Sequence, residues 1–304
     1  MDDNSLLMPN RARTFAWAAQ FLPHQTRADL GVLYSFCRYV DDGVDHCYQK
    51  EIAENFLDSI SRALETNYSE NKQVADFLCL SAKRNIPLGF ASDLVGGVRK
   101  DIKLEQMGSL EELLRYSYQV AGTVGIMICY LLEVTTTEAL ASAIDLGIAM
   151  QLTNIARDIL EDFNQGRIYL PKNLIARSAV TNAIAGDPAS RTRVVEVLNE
   201  LLNLAQTYYR SSDSGICFLP SETKLSILCA SRGYNQIGKL IAKNPQLVFT
   251  ERVSTSRSEK ALCFCTCLFS LTLPRYYRIN AHPAHASELH LALRGLPSFD
   301  VVYQ

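Results

Sequence analysis

Apolar residues return at intervals of three and four along almost the whole chain, and no strict alternation runs long enough to insist on a strand. The pattern predicts helices over 26–47, 51–66, 70–84, 90–103, 109–132, 136–163, 189–209, 221–242 and 257–271. The breaks between them carry stop signals, among them Asn85-Ile86-Pro87, Asn164-Gln165-Gly166 and Asn244-Pro245. No connector is long or biased enough to be an interdomain linker. The expectation is therefore all-α: one helical domain over residues 1–275, followed by a tail, 276–304, to which the pattern assigns no role.

Composition sharpens this picture only in places. With 304 residues, 48% of them hydrophobic and 20% charged, the chain is too apolar to be disordered. The formal net charge of −2 leaves no basic footprint for nucleic acid. The longest charge-free run, 116–132, has 17 residues that include Tyr, Ser, Gln, Thr and Gly, short of the ~20 apolar residues of a membrane span. Nine cysteines without framework spacing, and a start carrying Asp2, Asp3, Arg11 and Arg13, lead to the expectation of free thiols in a reducing cytoplasm. Cys263-Phe264-Cys265-Thr266-Cys267 lacks zinc-ligand spacing and reads as small side chains on one helix. His282, His285 and His290 could chelate a metal, but a solvated loop is the expected reading.

Two segments carry the candidate chemistry. In 30–48, Tyr34, Arg38, Asp41 and Asp45 fall in one narrow helical stripe that Leu30, Cys37 and Val44 share or border, whereas Asp42 projects elsewhere as an ordinary surface or supporting acid. Carboxylates on an apolar face must be paired, protonated or bound to metal. In 143–163, Gln151, Asn154, Asp158 and Asp162 form a row beside the core stripe Ile144, Ile148, Leu152, Ile155 and Ile159. The oxygen-bearing residues at i, i+4 and i+8 span about 12 Å of helix. Carboxylates and an amide with no His or Cys suit Mg²⁺, completed by water and substrate phosphate. Two such rows facing across a helical cavity would clamp a diphosphate, with Arg38, Arg157, Arg167 and Lys172 near enough in sequence to contact phosphate. Between the rows, Ala121, Gly122, Thr123 and Gly125 remove side-chain volume from a helix, either for close helix packing or for a slot that takes an apolar chain, in which Tyr116 would be a polar group.

These segments resemble a known family. TFAWAAQFLPHQTRADLGVLYSFCRYVDDGVD (14–45) resembles the N-terminal signature of the phytoene/squalene synthase family, a set of head-to-head trans-isoprenyl diphosphate synthases, and AMQLTNIARDILEDFNQGRIYLP (149–171) resembles its second aspartate-rich signature. VAGTVG (120–125) resembles the helix between them. TYYRSSDSGICFLP (207–220), ASRGYNQIG (230–238) and ERVSTSRSEK (251–260) are most similar to the phytoene synthase branch. The resemblance implies an isoprenoid-synthase helical bundle around a central apolar cavity, with residues 1–275 as the prenyl-diphosphate condensing domain. It implies Mg²⁺ ligands at Asp41, Asp45, Asn154, Asp158 and Asp162, with Mn²⁺ as an acceptable substitute. Diphosphate contacts fall on Tyr34, Arg38, Gln151, Arg157, Tyr234 and Lys260, and the tyrosine implicated in the chemistry on Tyr116. Thr14-Phe15 stands where the family has Ser-Phe, and Val120 and Ala121 join the substrate contacts.

The implied activity is a prenyl transfer of carotenoid biosynthesis: two geranylgeranyl diphosphates condense head to head through a cyclopropylcarbinyl diphosphate to phytoene. The alternative within the family is squalene, presqualene diphosphate or dehydrosqualene from farnesyl diphosphate. A reductive step would need NADPH, and Gly96-Gly97 is no dinucleotide fingerprint, so no NADPH is expected. A non-catalytic assembly factor of the same fold is the alternative of another class, opposed by the five intact ligand positions. The expected location is cytoplasmic, with peripheral association at a membrane surface suggested by the lipophilic substrate and product.

Overall fold

The computed structural model describes residues 13–45, 47, 49–278 and 285–302. Residues 1–12 and His282 lie outside the described residues. Among the described residues there are fourteen α-helices and no strand. In chain order they are α1 (Arg13–Ala19), α2 (His24–Asp45), α3 (Lys50–Thr66), α4 (Lys72–Arg84), α5 (Leu88–Asp101), α6 (Leu110–Ser117) and α7 (Thr123–Leu131). Then follow α8 (Thr137–Arg157), α9 (Ile159–Asn164), α10 (Arg177–Ile184), α11 (Pro188–Ser212), α12 (Ser221–Lys243), α13 (Arg257–Ser270) and α14 (Pro297–Val302).

Local chemistry sets the ends. Asn71, Ser109, Asp187 and Ser256 accept hydrogen bonds from backbone N–H groups of the first turns of α4, α6, α11 and α13, and Ser256 with Glu259 forms a reciprocal capping box. Asn85, the residue before Ile86-Pro87, closes α4 with φ 52° and donates its N–H to Ser81 O.

The bundle is organised around α8, which packs against α7, α11 and α12. This helix has the length and mean hydropathy (1.3) of a membrane span, a feature that reading charge-free runs alone passes over. Yet 72% of the apolar window is buried, as befits a core helix. The stretch predicted as one helix over 109–132 is divided by a π-helical segment, Tyr118–Gly122. The stretch predicted over 136–163 breaks at Asp158, whose backbone (φ −99°, ψ 16°) leaves the helical region between α8 and α9. Helices α1 and α10, outside the predicted set, are short.

Small residues bring α8 against the π-helical segment. A Cβ on Gly147 would stand 2.4 Å from Ala121 O and 2.8 Å from Gly122 Cα, and one on Gly125 2.5 Å from Ala143 O. Both obstructions are backbone, which cannot rotate aside. Gly147→Ala is expected to lower the melting temperature by roughly 2–5 °C, from an overpacking cost of about 1–3 kcal/mol. Thermal unfolding followed by circular dichroism checks this.

The tail does not form the solvated loop expected of its histidines. Residues 285–302 fold back over α5, α6 and α8, with Leu293, Leu296 and Phe299 buried. Arg115 donates to Ala292 O (2.8 Å) and Arg294 O (2.9 Å), Tyr208 Oη donates to Leu289 O (2.8 Å), and Tyr118 Oη meets Ser298 Oγ at 3.0 Å. His285 and His290 both point at Asp145 of α8. Buried apolar side chains, which hydropathy alone did not separate from a polar tail, hold the segment down.

Candidate active site

A cavity of about 270 Å³ runs along one side of α8. Val120, Ala121, Val124 and Gly125 wall it from the π-helical segment and α7, Gly215, Ile216 and Leu219 from the stretch before α12, and Ile227, Ala230 and Tyr234 from α12. Its lining on α8 begins at Asn154 and Gln151 and ends at Ala139, fifteen residues or about 22 Å of helix. Gln151 and Asn154 stand at one end, and most of the rest is apolar, with Ser142 and Ser212 as the exceptions. The shortened side chains between the two rows thus serve both alternatives read from sequence: Gly125 packs against α8, and Ala121 opens the slot.

Of the expected substrate contacts, Phe15, Tyr34, Val120, Ala121, Gln151, Asn154 and Tyr234 line this cavity. Thr14, Arg38, Arg157 and Lys260 lie outside the lining. Thr14 is buried behind Gly233, the neighbour of Tyr234. Arg38 pairs with Asp42, one turn on, which gives the off-stripe aspartate its part. Lys260 sits in the first turn of α13.

The acidic residues gather beyond the polar end. Arg167 Nη2 donates to Asp45 Oδ1 at 2.7 Å, and its Nη1 lies 3.8 Å from Asp101 Oδ2. Tyr169 Oη donates to Asp101 Oδ1 (2.8 Å) and Tyr116 Oη to Asp101 Oδ2 (2.9 Å), their rings stacked with centroids 5.2 Å apart. Tyr116 is therefore a partner of a carboxylate and not a lone polar group in the apolar slot. Asp158 is held by Arg157, which donates from both Nε and Nη2, and by Arg252, whose Nε lies 3.0 Å from Oδ1.

Electrostatics ties the two signatures together. Crowding by protein, then the charges of Asp45 and Asp101, pushes Asp41 up to about 7. Its side chain nevertheless keeps solvent access, so it stands in an open recess and not on a closed apolar face. The stripe of Tyr34, Cys37 and Asp41 faces the cavity and its mouth, while Leu33, Phe36, Val40 and Val44 take the packed face of α2. Burial pushes Asp101 up to about 6, against the opposing pull of Arg167 and its two tyrosine donors. Burial, followed by the charge of Asp158, raises Asp162 well above the ordinary carboxylate range, and Asp101 adds to it. Acids from α2, α5 and α9 thus repel one another across a single recess.

Sequence reasoning missed Asp101, Tyr169 and Arg252. For Asp101 a signal existed: it is the last residue of α5, where the helix dipole disfavours an acid, so something else must hold it there. Tyr169 and Arg252 carry no local signal, since only the fold brings them to the aspartates.

The chain is similar to known proteins over most of its length. The sequence pattern of the Squalene/phytoene synthase family matches residues 8–259. A 15-cis-phytoene synthase of Enterobacter agglomerans is 31% identical over 82% of this chain and 88% of its own length. One from Paracoccus sp. (strain N81106 / MBIC 01143) is 32% identical over 82% and 84%. Among solved structures, a dehydrosqualene synthase in complex with ligand superimposes with a TM-score of 0.75, at 25% identity over 86% of this chain and 93% of the other.

Proposed function

The chain belongs to the squalene/phytoene synthase family and is a prenyl-transferring enzyme, and from that premise we propose that it joins two geranylgeranyl diphosphates head to head to make phytoene. The observation that carries the chain length is the course of the cavity along α8 from Asn154 to Ala139, about 22 Å of helix, long enough for a C20 chain with its diphosphate at the polar end. The similarity to a dehydrosqualene synthase supports the second reading, condensation of farnesyl diphosphate. Incubating the purified protein with Mg²⁺ and each diphosphate in turn separates the two. C40 phytoene from geranylgeranyl diphosphate is expected, and turnover of farnesyl diphosphate alone would refute it.

The residues fit a divalent cation. Asp41, Asp45, Asn154, Asp158 and Asp162 offer oxygen donors only, which suit Mg²⁺. The buried Asn154 Oδ1 has no hydrogen-bond partner, as an oxygen reserved for a ligand would not. Bound there, the metal would neutralise charge developing on the departing diphosphate. Arg157 and Arg252 hold the Asp158 carboxylate, and an arriving diphosphate offers these guanidinium groups better acceptors, freeing Asp158 to act as a ligand. Arg167 fixes Asp45, while Tyr116 and Tyr169 fix Asp101 beside it. Val120, Ala121, Val124, Leu146 and Met150 exclude water that would quench an allylic cation.

The raised carboxylates give a pH dependence. A ligand must be ionised to bind a cation, so divalent-metal affinity is expected to climb as pH rises from about 5 to 8, through the value of about 7 at Asp41, with Asp101 (about 6) adding its charge beside the ligands. Folding of the metal-free protein runs the other way. A carboxyl raised in the folded state contributes stability below its unfolded value, and that contribution is lost as pH rises through the folded value. In chelator, the melting temperature should therefore fall between pH 5 and 7.5 and be restored by Mg²⁺ at the upper end. A flat profile in both conditions would remove these carboxylates from the metal site.

Peripheral membrane binding is part of the same reading. On and just after α13, Leu262 (69% exposed), Phe269 (68%) and Tyr277 (52%) stand out in water. Flotation with liposomes is expected to recover the protein with lipid, and Leu262→Glu with Phe269→Glu to release it.

A further inference from the structure

Behind the wall of the cavity, on the opposite side of α8, lies a second cluster of ligand-type side chains. Asp145 is fully buried in the middle of α8. His290 Nε2 approaches its Oδ1 at 2.8 Å and His285 Nε2 its Oδ2 at 3.1 Å. The donor atoms of all three residues lie within 4.8 Å of one another. The second approach has the distance but not the directions of a hydrogen bond: both Asp145 Oδ2 and His285 Nε2 are buried without a hydrogen-bond partner. Among the described residues, the two imidazoles are also the only basic side chains within 4 Å of this carboxylate.

We propose that Asp145, His285 and His290 form a binding site for a transition-metal cation of the Zn²⁺ class, which fastens the C-terminal segment to the central helix. A buried carboxylate needs compensating charge, and two buried polar atoms 3.1 Å apart that make no hydrogen bond need another partner. Two imidazole nitrogens and one carboxylate are the donor chemistry of Zn²⁺, not of the hard cation suited to the oxygen-only recess. The imidazole rings stand 4.4 Å apart at 51°, one on each oxygen of the carboxylate. Phe299 packs edge-on against His290 and the Tyr118 ring, so the apolar part of the tail surrounds the site. Binding holds both imidazoles neutral and Asp145 ionised, and releases whatever protons the nitrogens carried. The ligands are separated by 140 and 145 positions, so the cation closes a long loop and pins residues 285–302 over α5 and α6.

The test uses the full chain after treatment with chelator. Titration with Zn²⁺ in excess Mg²⁺, followed by desalting and elemental analysis, is expected to leave one Zn²⁺ per chain. It should also raise the melting temperature by several degrees and slow proteolysis of the tail. X-ray absorption on the wild-type complex should report nitrogen and oxygen neighbours with two imidazoles. His285→Gln and His290→Gln should each abolish retention while leaving the helical circular dichroism in place. Retention of no Zn²⁺, sulfur neighbours from a cysteine site, or undiminished retention in the double variant would each overturn the proposal. So would a tail whose protection follows pH through the imidazole range with no metal retained, since the cluster would then be an ion-pair clasp. The absorption spectrum of the wild type decides the matter even if the variants fail to fold.

Discussion

Asp158→Ala is expected to lower turnover by about a thousandfold or more, the loss typical of removing a group that stabilises charge in the transition state. Two roles meet in this residue. As a proposed ligand it faces the recess with Asn154 and Asp162. In the unliganded protein it also neutralises Arg157, which is almost wholly enclosed, and Arg252. Removing the carboxylate leaves the buried guanidinium without its partner, at a stability cost of about 1–3 kcal/mol. The variant should therefore melt a few degrees lower yet keep its helical circular dichroism at 25 °C. Diphosphate release with saturating Mg²⁺ and geranylgeranyl diphosphate measures the effect. Activity within tenfold of wild type would remove Asp158 from the metal site. Asp158→Glu helps to separate the roles, because it retains a charge for Arg157 while displacing the ligand oxygens; restored stability without restored turnover is the expected result.

The second large effect concerns the far end of the cavity. Ala139→Phe should depress kcat/KM for geranylgeranyl diphosphate by roughly a hundredfold, equivalent to about 2.7 kcal/mol, while farnesyl diphosphate is consumed at least as well as by wild type. Ala139 lies fifteen residues from Asn154 along α8, where the last isoprene unit of a C20 chain would rest. A phenyl ring there fills the volume needed by that unit and leaves the space of a C15 chain intact. The product spectrum from a mixture of the two diphosphates is the direct readout. Equal losses on both substrates would mean that the chain takes another route through the bundle. Gly215 offers no substitute site for such a probe, since a Cβ there would already meet Ser142 Cβ at 2.5 Å.

Much of this was legible in the chain itself. The period of apolar positions located the long helices to within a few residues, because each helix buries one stripe against its neighbours and the stripe must repeat every 3.6 residues. The aspartate rows were legible for the complementary reason, that acids bordering an apolar stripe need a partner. Three local events escaped. The π-helical segment within 109–132 looks like continuous helix in sequence, since core positions recur on both sides of it and no Pro interrupts it. The break at Asp158 leaves no Gly or Pro to mark it. The tail gave no periodicity, yet Leu293, Leu296 and Phe299 are buried, because they pack onto helices that are distant along the chain.

By itself, then, the amino-acid order determined an all-helical protein, the approximate extents of its long helices, and which oxygen-bearing side chains would lie near one another along a helix, all consequences of spacing and capping between near neighbours. Only the tertiary structure decided what each of those side chains meets. Asp101 and Tyr169 joined the acidic recess, Asp158 acquired Arg252, Tyr116 became a donor to a carboxylate, and His285 and His290 closed on Asp145. Those partners come from elements far apart along the chain, and their energies depend on approach and burial, which no local pattern encodes.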